Sequence, residues 1–315
     1  MLVDSALILM SLLLLFLGAE GLVRGSSSLA LRFGISPLIV GLTIVAFGTS
    51  SPELVVSIKA ALSQQGDISI GNVVGSNIFN IGVILGITAI VCPIPVNLRL
   101  LKTDAPIALA AAVLAPVFLL DGILGRTEGF ILLLAVVVYN WSAVHRGRIE
   151  AIRADQLRVA QFPTPPQTRH WFIDAGFIIG GLAVLIFGSR LLVQHASSVA
   201  RLLGVSEAMI GLTIVAVGTS VPELSTSLVA AIRKQPDIAI GNVIGSNIFN
   251  LLAILGVASL VSPLHAPGIA WIDYGMMVWF TLLLIPLLYT GRLLHRLEGV
   301  LLFTCYIMYV FVLLV

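Results

Sequence analysis

The strongest constraint on this chain is a duplication. GLTIVAFGTSSPELVVS, Gly41 to Ser57, returns as GLTIVAVGTSVPELSTS, Gly211 to Ser227. GNVVGSNIFN, Gly71 to Asn80, likewise returns as GNVIGSNIFN, Gly241 to Asn250. The offset is 170 residues throughout, so Glu53 answers Glu223. Both glutamates sit in apolar stretches of membrane-spanning character, where a carboxylate is expensive and marks function. Two of them, placed by an internal repeat, predict one site shared between two half-molecules.

Composition sets the solvent. Of 315 residues, 58% are hydrophobic and only 10% charged, against roughly 25% charged in a soluble domain. The deficit leaves too little polar surface to face water, which makes this an integral membrane protein. At about 20 residues per span the chain has room for roughly ten helices. No basic stripe with interleaved aromatics suggests nucleic acid. Cys92 and Cys305 occupy unmatched positions in apolar runs, which favours packed thiols over a disulfide or a metal site. There is no HExxH and no nucleophile–base pairing to support an enzyme of the membrane interior.

Apolar stretches run at about 5–32, 36–63, 66–92, 103–120 and 127–145, and again at about 172–203, 206–233, 237–262, 270–289 and 297–315. The Leu7 to Leu17 run lacks the basic flank of a signal peptide and aligns, from Asp4 to Gly18, with Asp174 to Gly188. It therefore reads as a retained first helix. The expected fold class is an all-α polytopic membrane protein of ten helices. Its parts are a first five-helix repeat, 1–145, a polar linker, 146–170, and a second repeat, 171–315. Five is odd, so the second copy must enter from the opposite face and the repeats are inverted. Charge placement agrees. With the linker arginines Arg146, Arg148, Arg153, Arg158 and Arg169 in the cytoplasm, the same side receives Arg24, Arg32, Arg99, Lys102, Arg233, Lys234, Arg292 and Arg296. Lys59, Arg126, Arg190 and Arg201 fall on the other, and both termini are then non-cytoplasmic.

Pro52 and Pro222 interrupt the long motifs, lacking the N–H that the carbonyls of Gly48 and Gly218 would need. Irregular backbone at membrane depth is tolerated where it lines a cavity. The motifs thus gather oxygens: loose carbonyls, Thr49, Ser50, Thr219, Ser220, Ser76, Asn80, Ser246, Asn250 and one carboxylate per half. Such a set suits a hard cation, Ca2+ or Na+, better than Mg2+, which dehydrates reluctantly. Asp67 and Asp237 lie near predicted helix ends, where capping is expected. Glu128, Glu298, His145 and His295 lie near the membrane interface and are assigned no role.

On these motifs the chain resembles the sodium/calcium exchanger family of the cation/Ca2+ antiporter superfamily. The resemblance covers essentially the whole chain and is to compact prokaryotic members without a large regulatory domain. It implies an antiporter in a bacterial or archaeal plasma membrane that exchanges Na+ for Ca2+ by alternating access, with the ions as cargo and no cofactor or required protein partner. Glu53 and Glu223 would be the central ligands. Thr49, Ser50, Thr219 and Ser220, with the backbones of Ala46 and Ala216, would ligate Na+, and Ser76 and Ser246 would complete outer Na+ positions. Asn80 matches the family pattern; Asn250 stands where some members carry Asp. The first and sixth helices would slide against the remaining bundle, and Gly18, Gly21, Gly25 and Gly34 would offer the sliding face. The alternatives are a proton-coupled antiporter of the same fold and a passive cation channel. Inverted repeats within one chain argue against the channel.

Overall fold

The computed structural model describes residues 2–158, 170–204 and 216–314. Arg169, the opening of the second long motif from Gly211 to Val215, and the side chains of Arg148, Arg153 and Arg158 lie outside that description. The first half comprises α1 (Leu2–Phe33), α2 (Pro37–Thr49), α3 (Ser51–Leu62), α4 (Gly66–Val91), α5 (Leu100–Phe118) and α6 (Arg126–Arg158). The second comprises α7 (Trp171–Leu202), α8 (Ala216–Thr219), α9 (Val221–Ile232), α10 (Pro236–Val261), α11 (Trp271–Tyr289) and α12 (Arg296–Leu314). Among the described residues, eight helices are long and apolar enough to cross a membrane, nine if the bent pair α2–α3 is one span. Val221–Ile232 is a shorter apolar helix. The protein is an all-helical, multi-pass membrane protein.

Among the described residues, four two-residue strands tie the halves together. β1 (Ile94–Pro95) pairs antiparallel with β4 (Leu293–Leu294), and β2 (Ile123–Leu124) with β3 (Leu264–His265). The 170-residue offset converts the Ile94–Leu294 pair into the Leu264–Leu124 pair, so each half grips the other through equivalent loops. The same exchange governs helix packing. The C-terminal part of α4 packs on α12 and that of α10 on α6, with Gly86 against Gly299 and Gly256 against Gly129. Backbones approach closely there, as small residues permit in lipid, where packing rather than water exclusion drives association.

The α4 and α10 spans are the most enclosed, 83% buried, and carry the GSNIFN segments at the centre of the bundle. Each widens into a π-helical stretch at its asparagine, Asn80–Leu85 and Asn250–Ile254, a distortion that often marks functional sites. α1 and α7 form an antiparallel pair on one flank.

Several expectations change here. Gly18, Gly21 and Gly25 face α7 rather than the rest of the bundle, and Gly34, at φ +59, closes α1. The glycines therefore knit the two long helices to each other. Side-chain pairs stand toward both ends of the seam, the ion pair Arg32–Asp174 (3.2 Å) and the hydrogen-bonded pair His195–Asp4 (3.1 Å). α6 continues through Arg158, past the boundary expected at 145, because the next proline is Pro163 and good helix formers fill the interval. Asp67 and Asp237 stand in first helical turns, but Gln65 and Gln235 hold the cap positions. Asp67 instead accepts the Gly268 N–H (2.8 Å) and ties α4 to the loop before α11. Glu298 has a structural role: it accepts the His295 N–H (2.7 Å) at the start of α12, the return half of a capping box. Both cysteines are free thiols.

Candidate cation-binding site

The site begins where α2 breaks. Ser50 leaves the helical region at φ −82, ψ 8, and the axis bends by 47° into α3. Ser220 does the same at φ −92, ψ 5 before α9. The proline stands second in the new helix each time, where a missing N–H costs nothing. Glu53 and Glu223 follow in the first turn, favourable for a negative charge. Both are 1% exposed.

The two breaks serve each other. The Ser50 hydroxyl donates to Glu223 Oε1 (2.8 Å), and the Ser220 hydroxyl donates to Glu53 Oε1 (3.0 Å). Each carboxylate is thus held by the opposite half. Ser220 also reaches Ser76 (3.3 Å), and the Asn80 amide donates to Asn247 Oδ1 (2.9 Å). Thr49 Oγ1 lies 3.0 Å from Asn242 Oδ1 and 3.3 Å from the Ala46 carbonyl, which also accepts the Ser50 N–H (3.0 Å). In the second copy the Ser220 N–H goes to Val217 instead (3.0 Å), so the two breaks are not identical. Ala216 and Thr219 bound the short helix α8. The Gly218 carbonyl freed by Pro222 is not loose: the Ser189 hydroxyl of α7 donates to it.

The oxygens left over form a pattern. Glu53 Oε2, Glu223 Oε2, Asn80 Oδ1, Asn250 Oδ1 and Ser246 Oγ are buried and have no hydrogen-bond partner among the described residues. A buried polar atom left this way costs roughly 1–3 kcal/mol, and more when charged. Four of the five fall in duplicate at the 170-residue offset, as Glu53 with Glu223 and Asn80 with Asn250. All are oxygens that can coordinate a hard cation. The structure thus brings together Glu53, Glu223, Ser50, Ser220 and Ser76, sets Thr49 beside Glu223 and Thr219 beside Glu53, and buries Asn80, Asn250 and Ser246.

Sequence reasoning overlooked the residues that fix the glutamate backbones. Asn72 Nδ2 donates to the Glu53 carbonyl (3.2 Å) and to Ser57 Oγ (2.9 Å). Asn242 Nδ2 donates to the Glu223 carbonyl (3.3 Å) and to Ser227 Oγ (3.0 Å). The signal was present, since Glu53–Ser57 and Glu223–Ser227 are i, i+4 pairs and both asparagines lie in the duplicated motif.

A family model described as sodium/calcium exchanger protein matches residues 4–144 and 173–315, which is most of the chain. The chain belongs to the sodium/calcium exchanger family. Among relatives of this family, the putative antiporter CaxA of Alkalimonas amylolytica is 39% identical over 317 residues, covering 99% of each chain. The sodium/calcium exchanger MaX1 of Methanosarcina acetivorans is 32% identical over 347 residues, covering 99% of this chain and 98% of its own. A solved structure of the sodium-calcium exchanger NCX_Mj, soaked with zero Na+ and Ca2+, superposes with a TM-score of 0.86 at 33% identity over 99% of both chains.

Proposed function

We propose that this member of the family is a secondary antiporter that exchanges Na+ for Ca2+ across a prokaryotic plasma membrane by alternating access. The observation that carries the reading is the duplicated set of unpartnered buried oxygens around two carboxylates. Two glutamates balance the charge of one Ca2+, which offsets the burial penalty that either would suffer alone. The hydroxyls and amides around them supply neutral oxygens for Na+. On this reading Glu53, Glu223, Asn80 and Asn250 hold Ca2+ or Na+. Thr49, Ser50, Thr219, Ser220, Ser76, Ser246 and the carbonyls of Ala46 and Ala216 add Na+ ligands. Na+ and Ca2+ compete for overlapping oxygens, and a pocket with neither leaves two carboxylates uncompensated, which opposes empty reorientation. Exchange is favoured over leak for that reason.

The topology that fits is ten spans in two inverted halves, 1–145 and 171–315, with the linker 146–170 in the cytoplasm and both termini outside it. The exchange of contacts at the 170-residue offset supports a two-fold relation. Glu20 of α1 pairs with both Arg24 and Arg233, which agrees with their assignment to one face. The α1–α7 pair, packed through glycines, is the natural moving element, and it travels as one unit.

The test is direct. Proteoliposomes loaded with Na+ and diluted into Na+-free medium should accumulate Ca2+, and collapsing the Na+ gradient with an ionophore should stop the uptake. Uptake driven by an outward proton gradient and indifferent to Na+ would overturn the sodium coupling. Ca2+ flux without any coupling gradient would overturn exchange itself.

A further inference from the structure

We infer that Asn242 is a positioning residue that turns the Thr49 hydroxyl toward the ion, carrying the orientation from one half of the molecule to the other. The inference rests on the exchange reading above. A main-chain carbonyl can only accept a hydrogen bond, so the side of Asn242 that meets the Glu223 carbonyl (3.3 Å) must be its NH2 group. The same group donates to Ser227 Oγ (3.0 Å). Both donors fix the amide plane, and Oδ1 is left pointing at Thr49 Oγ1, 3.0 Å away on α2. Oδ1 has no hydrogen to give, so Thr49 must donate.

That assignment matters for ion binding. A hydroxyl carries one proton and two lone pairs, and it ligates a cation only when the proton points elsewhere. Thr49 is fully buried and lies within reach of the Glu223 carboxylate; its neutral acceptors among the described residues are two, Asn242 Oδ1 and the Ala46 carbonyl at 3.3 Å. Asn242 offers the shorter of the two, and it is anchored to the helix turn that begins with Glu223. The carboxylate of one half and the hydroxyl of the other are therefore placed by one amide. Asn72 repeats the anchoring half of this arrangement on Glu53 and Ser57.

Na+ should feel the loss more than Ca2+. The divalent ion draws most of its binding from two carboxylates, whereas the monovalent ion depends more on neutral dipoles aimed at it. Partners behind metal ligands are worth roughly 10- to 100-fold in affinity. Asn242→Ala should raise the Na+ concentration for half-maximal exchange about 10-fold and the Ca2+ concentration no more than about 3-fold. In a Thr49→Ala background there is no hydroxyl to turn, so adding Asn242→Ala should shift the Na+ dependence by less than about 2-fold. Ser227→Ala, which removes one anchor of the amide and leaves its bond to the Glu223 carbonyl in place, should move Na+ dependence in the same direction by a smaller factor.

The measurement is Na+-dependent and Ca2+-dependent exchange in proteoliposomes for the wild type, the three single variants and the double variant. Equal factors for Na+ and Ca2+, or Thr49 and Asn242 effects that multiply, would overturn the inference and leave Asn242 as packing alone. An unshifted Ser227→Ala would also overturn it, and this variant decides the matter should Asn242→Ala not accumulate. Wild-type exchange stays intact in all of those outcomes. Absence of Na+-coupled flux in the wild type is the distinct result that removes the proposed function, and this inference with it.

Discussion

Glu53→Gln and Glu223→Gln are each expected to reduce Na+-driven Ca2+ uptake by at least about 100-fold while the protein still inserts and folds. Glutamine keeps the shape and an acceptor oxygen, so the Ser220 and Ser50 hydroxyls can still donate across the halves. The charge is lost, and one of the two oxygens becomes an NH2 that cannot coordinate a cation. A divalent ion in the buried site then faces a single carboxylate, and the imbalance carries the steep desolvation cost of any unpaired charge at membrane depth. The second expected signature is thermal. Ca2+ at 100 times its Kd should stabilise the wild type by about 2.7 kcal/mol through linkage, and neither variant should respond at the same concentration. In ion-free buffer both variants should be at least as stable as the wild type, because the repulsion and burial of an unneeded carboxylate are relieved. Full exchange by either variant would remove that residue from the centre of the site.

Much of this is legible in the amino-acid sequence. The 170-residue repeat located both glutamates, the helix breaks beside them and the ring of hydroxyls and amides. These depend on local chemistry: a proline without an N–H and a Gly-Thr-Ser run that does not hold a helix. What could not be read is which half serves which carboxylate. Ser50 to Glu223 spans 173 residues and Ser220 to Glu53 spans 167. Neither is implied by spacing, because side-chain direction across a break depends on how the helices pack. The glycines show the same limit. Gly18, Gly21 and Gly25 announce a close-packed face, but a stripe of small residues does not name its partner. The structure assigns that partner to α7. The asparagines behind the glutamates were overlooked for a related reason, since their role is carried by hydrogen bonds to backbone carbonyls rather than by charge.

Gly181→Val and Gly180→Val should differ sharply, although the two positions are adjacent. At Gly181 a Cβ would fall 2.6 Å from the Leu22 backbone nitrogen and 2.7 Å from the Gly18 carbonyl oxygen. Neither atom can yield without separating α1 from α7, because both belong to helix backbone. At Gly180 a Cβ meets nothing within 4 Å. Overpacking a tight contact costs about 1–3 kcal/mol, and a backbone-to-backbone clash belongs at the upper end. A valine at 180 trades glycine's backbone entropy for a modest β-branched penalty and should be close to neutral. Thermal unfolding in detergent should therefore fall clearly for Gly181→Val and hardly at all for Gly180→Val, with exchange activity following the same order. Equal stability of the two would contradict the seam as drawn. If α1 and α7 move as one unit, Gly181→Val should also lose exchange at temperatures where it remains folded, because prying the pair apart uncouples the element that carries Ser189 and its hold on the Gly218 carbonyl.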